Sequence, residues 1–177
     1  MNVVIIGGGA AGCIAALTSA KLGNNVTLIE KNNELGKKMK ITGKGRCNIT
    51  FNGDFDYFQQ NICVNSKFMY SSFNNFSNMD TLQFFNNLGV ETKLERGNRY
   101  FLKNDDASEL VNALKKELEK AKVKILYNAQ VEKINVKYGE CGIRCRGEQC
   151  SPRTIFKPKV SERKSENSNI SERYYRC

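Results

Sequence analysis

"VVIIGGGAAGCIAALTSAKLGNNVTLIE", residues 3–30, decides the fold. Its first four residues are a short β-branched run suited to a strand buried on both faces. A glycine cluster follows. Then comes a stretch in which Ile14, Leu17 and Leu22, set among small alanines, fit a helix closed by Gly23. Residues 25–30, NVTLIE, return as a second apolar strand that ends in Glu30. The result is a βαβ unit carrying G-x-G-x-x-G at Gly7, Gly9 and Gly12. Gly7 permits the tight turn off the strand, Gly9 lets a pyrophosphate approach the backbone, and Gly12 lets the helix pack close to the sheet. Gly8, Ala10 and Ala11 complete the same phosphate-binding turn. The helix N-terminus offers the phosphates free N–H groups and the positive end of a dipole. Glu30 lies 18 residues beyond Gly12, where a carboxylate can accept hydrogen bonds from a ribose diol. An acid at that point favours FAD or NAD over NADP. A Walker A loop is excluded: Lys44 in GKGR (43–46) is not followed by Ser or Thr, and position 38 is Lys where a glycine would be needed.

The rest of the chain sets the bounds. Its 177 residues allow one ordinary domain with a small lobe or tail, and an apolar fraction of 40% is enough for a core. No apolar run is long enough for a membrane span, and the N-terminus lacks the basic start of a secretory signal. Seven cysteines, an odd number with no C-x-x-C pair, read as free thiols in a reducing compartment, so a cytoplasmic protein is expected. The net charge of +10 is uneven. Residues 1–136 carry 18 Lys and Arg against 13 Asp and Glu, whereas residues 137–177 carry 10 against 5. A solvated basic tail explains this better than a nucleic-acid partner.

The segment after the βαβ unit, EKNNELGKKMKITGKGRCNIT (30–50), resembles the signature of the HI0933-like flavoproteins, a family of FAD-dependent oxidoreductases. The matching positions are Glu30, Lys31, Gly36, Lys37, Lys38, Thr42, Gly43, Gly45, Arg46, Cys47, Asn48 and Thr50. ERGNR at 95–99 and the helix and strand after it are similar to the family's continuation, so the resemblance covers residues 1 to about 135. One departure is FLK at 101–103, where the family usually carries a proline after the phenylalanine. The resemblance implies an FAD site in which the cofactor carries a hydride, with NAD(P)H as an electron donor. It also places the backbone of Val131 against the adenine side. Read physically, Gly43 and Gly45 would let backbone amides crowd a ligand, while Lys38 and Arg46 would balance phosphate charge. Asn48 offers a donor and an acceptor to a flavin edge or to its own loop. Cys47 has no neighbouring partner cysteine, so packing or flavin contact is expected of it rather than catalysis.

Downstream, Asp80 is expected to cap a short helix ended by Gly89, and VETKL with NRYFL to form two strands. Asp105 or Asp106 should cap a longer helix whose Leu110, Val111, Leu114 and Leu118 make one apolar stripe, and one or two strands follow to residue 134. The aromatic, Asn-rich stretch 51–78 has no clear period and suits a helical lobe, within an inserted region at 51–104, covering the flavin. After residue 136 no amphipathic period is apparent. The tail has no Leu, Ala or Asp but holds both prolines and four of the seven cysteines. Cys141, Cys145 and Cys150, without His, do not make a zinc pattern, and no metal is expected. The family's A-T-G-G strand and late Gly-Asp segment are not found, so residues 137–177 are expected to be disordered or out of frame.

The expected architecture is therefore an α/β, Rossmann-like FAD/NAD(P)-binding domain of the glutathione-reductase type, incomplete, with a partly helical lobe. The expected function is flavin-dependent hydride transfer, no catalytic acid or base being assigned. Two alternatives stand beside it: a non-catalytic dinucleotide-binding fragment, and a nucleic-acid-associated flavoprotein.

Overall fold

The strand–turn–helix–strand of the N-terminus is present in the computed structural model, which describes residues 1–137, 140–147 and 155–156. β1 (Asn2–Ile6) leads through the glycine turn into α1 (Ala10–Lys21), and β2 (Asn25–Ile29) returns parallel to β1, with Val3 opposite Val26 and Ile6 opposite Ile29. α1 stops at a left-handed Gly23, whose N–H donates to Ala20 O at 2.9 Å. α2 (Lys37–Ile41) and a 3₁₀ turn (Thr42–Gly45) follow, then β3 (Thr50–Phe51). The region 51–78 is indeed helical, with α3 (Phe55–Gln60), a second 3₁₀ turn (Ser66–Met69) and α4 (Tyr70–Asn75). Its lack of a period has a physical reason. Phe51, Phe58 and Phe73 come from different short elements and stack on one another, with successive ring centroids 5.3 Å apart.

α5 (Asn78–Asn87) starts three residues earlier than expected. Its N-cap is Ser77, which corrects the assignment of Asp80. Ser77 Oγ accepts from Asp80 N at 3.2 Å, and the Asp80 carboxylate accepts from Ser77 N at 2.8 Å. The two residues exchange bonds in a capping box, so an aspartate three positions into the helix looks like a cap when read alone. β4 (Thr92–Glu95) and β5 (Arg99–Leu102) form the expected antiparallel pair, and β3 joins β5 on its other side. α6 (Ala107–Lys120) is capped by Asp106, whose side chain accepts from Ser108 N at 2.8 Å. β6 (Lys124–Leu126) then adds to β2, giving the parallel sheet the order β1-β2-β6.

Alternation along these strands makes three layers. Val3, Ile5, Val26, Leu28 and Ile125 face a core closed by α1, α5 and α6, where the stripe Leu110, Val111, Leu114 and Leu118 is buried. Val4, Ile29 and Leu126 face the opposite way, onto a smaller core with Ala129, Val131, Ile143 and Cys145. That second core corrects the expected boundary at residue 136. β7 (Gln130–Lys137) runs across it and pairs antiparallel with β8 (Glu140–Arg146), which in turn pairs with β9 (Ile155–Phe156). A period of two was present in this stretch: Ile143 and Cys145 are buried while Arg144 and Arg146 are exposed. The expectations for the remainder of the tail, Cys150 included, lie outside the described residues. No helix among the described residues is long and apolar enough to cross a membrane.

Candidate dinucleotide site

The glycines of the first turn differ in what surrounds them. Gly7 sits at φ +98° and donates its N–H to Ile29 O at 2.8 Å, which closes the turn at the end of β1. A Cβ on Gly12 would lie 1.8 Å from Gly7 O, so α1 can approach the turn only with hydrogen at that position. A Cβ on Gly9 would meet nothing within 4 Å. The protein's own packing makes no demand for glycine there, and the position opens into a cleft. Gly8 is enclosed: its N–H donates to Glu30 Oε2 at 2.6 Å, and a Cβ would strike Leu35 at 2.4 Å.

The cleft measures about 590 Å³ and lies over the C-terminal ends of β1 and β2. Its walls are the turn at Gly7–Gly9, the segment Ile29–Asn32, Gly36–Lys38 at the start of α2, and Ala129–Val131 leading into β7. Glu30, only 6% exposed, lines it with its carboxylate engaged. Besides Gly8, Asn32 donates from its backbone N at 2.8 Å and from Nδ2 at 2.5 Å, both to Oε1. At the cleft's inner end, α1 begins on Gly9 with no side-chain cap and no acidic residue in its first turn. The first-turn amides have no partners within the helix, and the dipole makes that end positive. Lys31, Lys37 and Lys38 edge the cleft, and none of them makes an ion pair among the described residues.

A second cleft of about 720 Å³ borders the same turn from the other side. It shares Gly9 and Lys38 with the first, and is lined further by Ala10, Ala11, the 42–49 segment, α5 and α6. Its surface is largely apolar, from Ile14, Met39, Phe84, Phe85, Leu110 and Leu114. Cys47 and Asn48 are both in its wall. Burial pushes the Cys47 thiol above its ordinary pKa, against a smaller lowering by Thr42. Cys13, beneath the turn, is pushed up to about 11 by burial and then by the Glu30 charge. Neither thiol is poised as a thiolate at neutral pH, which agrees with a packing role.

Most of the residues singled out from the sequence thus gather at two adjoining clefts: Gly7–Ala11, Glu30, Lys31, Gly36, Lys38 and Val131, with Cys47 and Asn48 in the second. Gly12 supports from below. Besides Gly12, three line neither cleft, and their expected roles are corrected. Gly43 is pressed against the Phe101 ring, where a Cβ would come within 2.9 Å, and Gly45 continues the same turn at φ +90°. Arg46 is held by Glu95, with its Nη1 3.0 and 2.9 Å from the two carboxylate oxygens, and so is not placed to balance phosphate. Asn32 and Gln130 belong to the first cleft and were missed. Asn32 could have been found as a short amide two residues past Glu30, within reach of its carboxylate.

Parallel strands, a crossover helix and a glycine turn opening on a cleft define a domain of Rossmann type. The chain belongs to the HI0933-like family, whose Rossmann-domain model matches residues 1–156. It is 32% identical over 158 residues to a 3-dehydro-bile acid delta(4,6)-reductase of Clostridium scindens, a match covering 84% of this chain and 36% of that protein. It is 31% identical over 132 residues to a ribosomal RNA dihydrouridine synthase of Haemophilus influenzae, covering 74% of this chain and 32% of the relative. The chain therefore spans about a third of the length of these curated relatives. The structure of a 3-ketosteroid-delta4-(5alpha)-dehydrogenase from Rhodococcus jostii superposes with a TM-score of 0.61 at 13% identity, over 82% of this chain and 41% of that one. That likeness is one of fold.

Proposed function

We propose that this chain is the FAD-binding part of a flavin-dependent oxidoreductase. The observation that carries the reading is that both clefts meet at the uncapped N-terminus of α1, sharing Gly9 and Lys38. A dinucleotide has a polar adenosine end, a charged middle and a flat aromatic end. The first cleft offers a carboxylate and backbone groups, the shared edge offers free amides and unpaired lysines, and the second cleft is apolar. The residues present fit FAD in that order.

In this reading Glu30 and the backbone at Val131 hold the adenosine, and the α1 amides with Lys38 hold the pyrophosphate. The wall at Cys47–Ile49 bounds the ring. Bound there, FAD would supply hydride-transfer chemistry between a donor such as NAD(P)H and a substrate. The protein's part is to orient and to shield: Ile14, Phe84 and Leu114 keep water from the ring's face. The relatives' names point to reduction of a double bond in an electron-poor ring, since dihydrouridine is uridine with two hydrogens added across such a bond. A second reading, with an RNA substrate, is favoured by the dihydrouridine synthase relative alone. It predicts RNA binding that weakens steeply with salt.

The test is calorimetric titration of the chain with ADP and with FAD. Wild type should bind both, whereas Gly9→Val should bind neither while unfolding at the same urea concentration, because its side chain meets only open space. If Gly9→Val binds FAD as wild type does, the phosphate-turn reading is wrong.

A further inference from the structure

Arg46 and Glu95 are 49 residues apart in the chain, and each falls in one of the two motifs, GKGRCN and ERGNR. In the fold they meet. The guanidinium carbon of Arg46 also stands 4.4 Å from the centre of the Phe101 ring, and Asp105 lies 3.8 Å from Nη1. Lys93 closes the group, 3.5 Å from Glu95 and 2.7 Å from Asp105. The charge of Arg46 is thus taken up by the β4–β5 hairpin and the turn before α6.

What this group holds is an unusual backbone. Lys44 and Cys47 are left-handed at φ +59° and +56°, a region uncommon for residues other than glycine. Gly43 lies on Phe101, the Cys47 N–H donates to Thr42 O at 3.1 Å, and the Ile49 N–H donates to Tyr100 O at 2.9 Å. The residues flanking Arg46, namely Thr42, Cys47, Asn48 and Ile49, all line the apolar cleft. None of them lines the adenosine cleft.

We propose that Arg46 and Glu95 are positioning residues: their ion pair, seated on Phe101, holds the 42–49 segment in its left-handed path and so shapes the cleft for the isoalloxazine end of FAD. The pair acts on that end alone. This rests on the FAD reading above, yet the position of the segment can be measured without any ligand. Cys47 is 5% exposed, Cys13 is fully buried on the core face of α1, and Cys63 is exposed. Alkylation by iodoacetamide, followed peptide by peptide with mass spectrometry, therefore reports on the segment with an internal control on each side.

In the full chain, Glu95→Gln and Arg46→Met should speed Cys47 alkylation at least tenfold while leaving Cys13 protected and Cys63 fast. The same variants should weaken FAD binding tenfold or more and shift the visible band of bound flavin, with ADP affinity held within twofold. Glu95→Asp, which keeps the charge, should fall between. Unchanged Cys47 rates in both variants would overturn the proposal, as would ADP affinity falling in step with FAD affinity. Should Glu95→Gln expose Cys13 as well, Glu95→Asp decides: Cys47 alone must gain reactivity. A wild-type chain that takes up neither ADP nor FAD would sink the functional reading, while the Cys47 rates still decide the role of the pair.

Discussion

Gly9 and Gly12 are three residues apart and answer to opposite constraints. The first faces open space, the second a carbonyl oxygen that a Cβ would reach at 1.8 Å. Gly12→Ala should therefore cost stability, on the order of 3 kcal/mol, because backbone must move to admit the methyl group. Urea denaturation would show it, and a midpoint equal to wild type would mean that α1 can shift freely. Glu30 carries a different double duty. All three groups that reach its carboxylate, Gly8 N, Asn32 N and Asn32 Nδ2, are donors. A glutamine there would turn its own donor against one of them, so Glu30→Gln should lose roughly 1–3 kcal/mol of stability as well as ADP affinity. Loss of affinity with an unchanged denaturation curve would reduce Glu30 to a ribose contact. The roles of Gly9 and Gly12 were readable in the sequence because a turn's demands fall on its own few residues, whereas the donors that hold Glu30 were not. Arg46 was not: a basic residue in a glycine loop beside a nucleotide fold invites a phosphate role, and nothing nearby in the sequence names Glu95 as its partner.

Among the elements, α6 joins core and site. Its stripe was legible as apolar periodicity, and its cap as one of Asp105 and Asp106, of which the structure uses Asp106. Periodicity could not say that Leu110 and Leu114, besides filling the core, form part of the apolar cleft. Leu114 is 1% exposed, so Leu114→Ala should destabilise the protein by about 2–5 kcal/mol through lost burial and a residual cavity. The same change enlarges the second cleft and leaves the first untouched. A variant that still folds should therefore keep ADP affinity and lose FAD affinity, and equal loss of both would place Leu114 in the general core only. The β7–β8 hairpin shows the reverse case. In β8 only Ile143 and Cys145 alternate with Arg144 and Arg146, a period too short to stand out on its own, and with Val131 of β7 they cover the outer face of the parallel sheet at Ile29 and Leu126. A pattern that weak becomes a strand only when there is a surface for it to cover.

At the scale of the molecule, the order β1-β2-β6 places β2 between two partners, while β1 pairs on one side among the described residues. Both strands are apolar, and sequence alone ranks them equally as core. Their hydrogen bonding separates them. A strand in the middle of a sheet opens only when a neighbour leaves, whereas an edge strand can fray from one side and presents free backbone groups that another chain can use. β1 also carries Ile6, 48% exposed at the mouth of the first cleft, and its outer edge is unpaired among the described residues. Amide hydrogen exchange on the free chain at low concentration should therefore find the amides of β2 slowest and those of β1 at least tenfold faster, although β1 leads directly into the site. Raising the protein concentration should slow β1 selectively if copies meet along that edge. Equal protection of β1 and β2 at every concentration would mean that the edge is already covered within the chain, and that the sheet extends beyond β1.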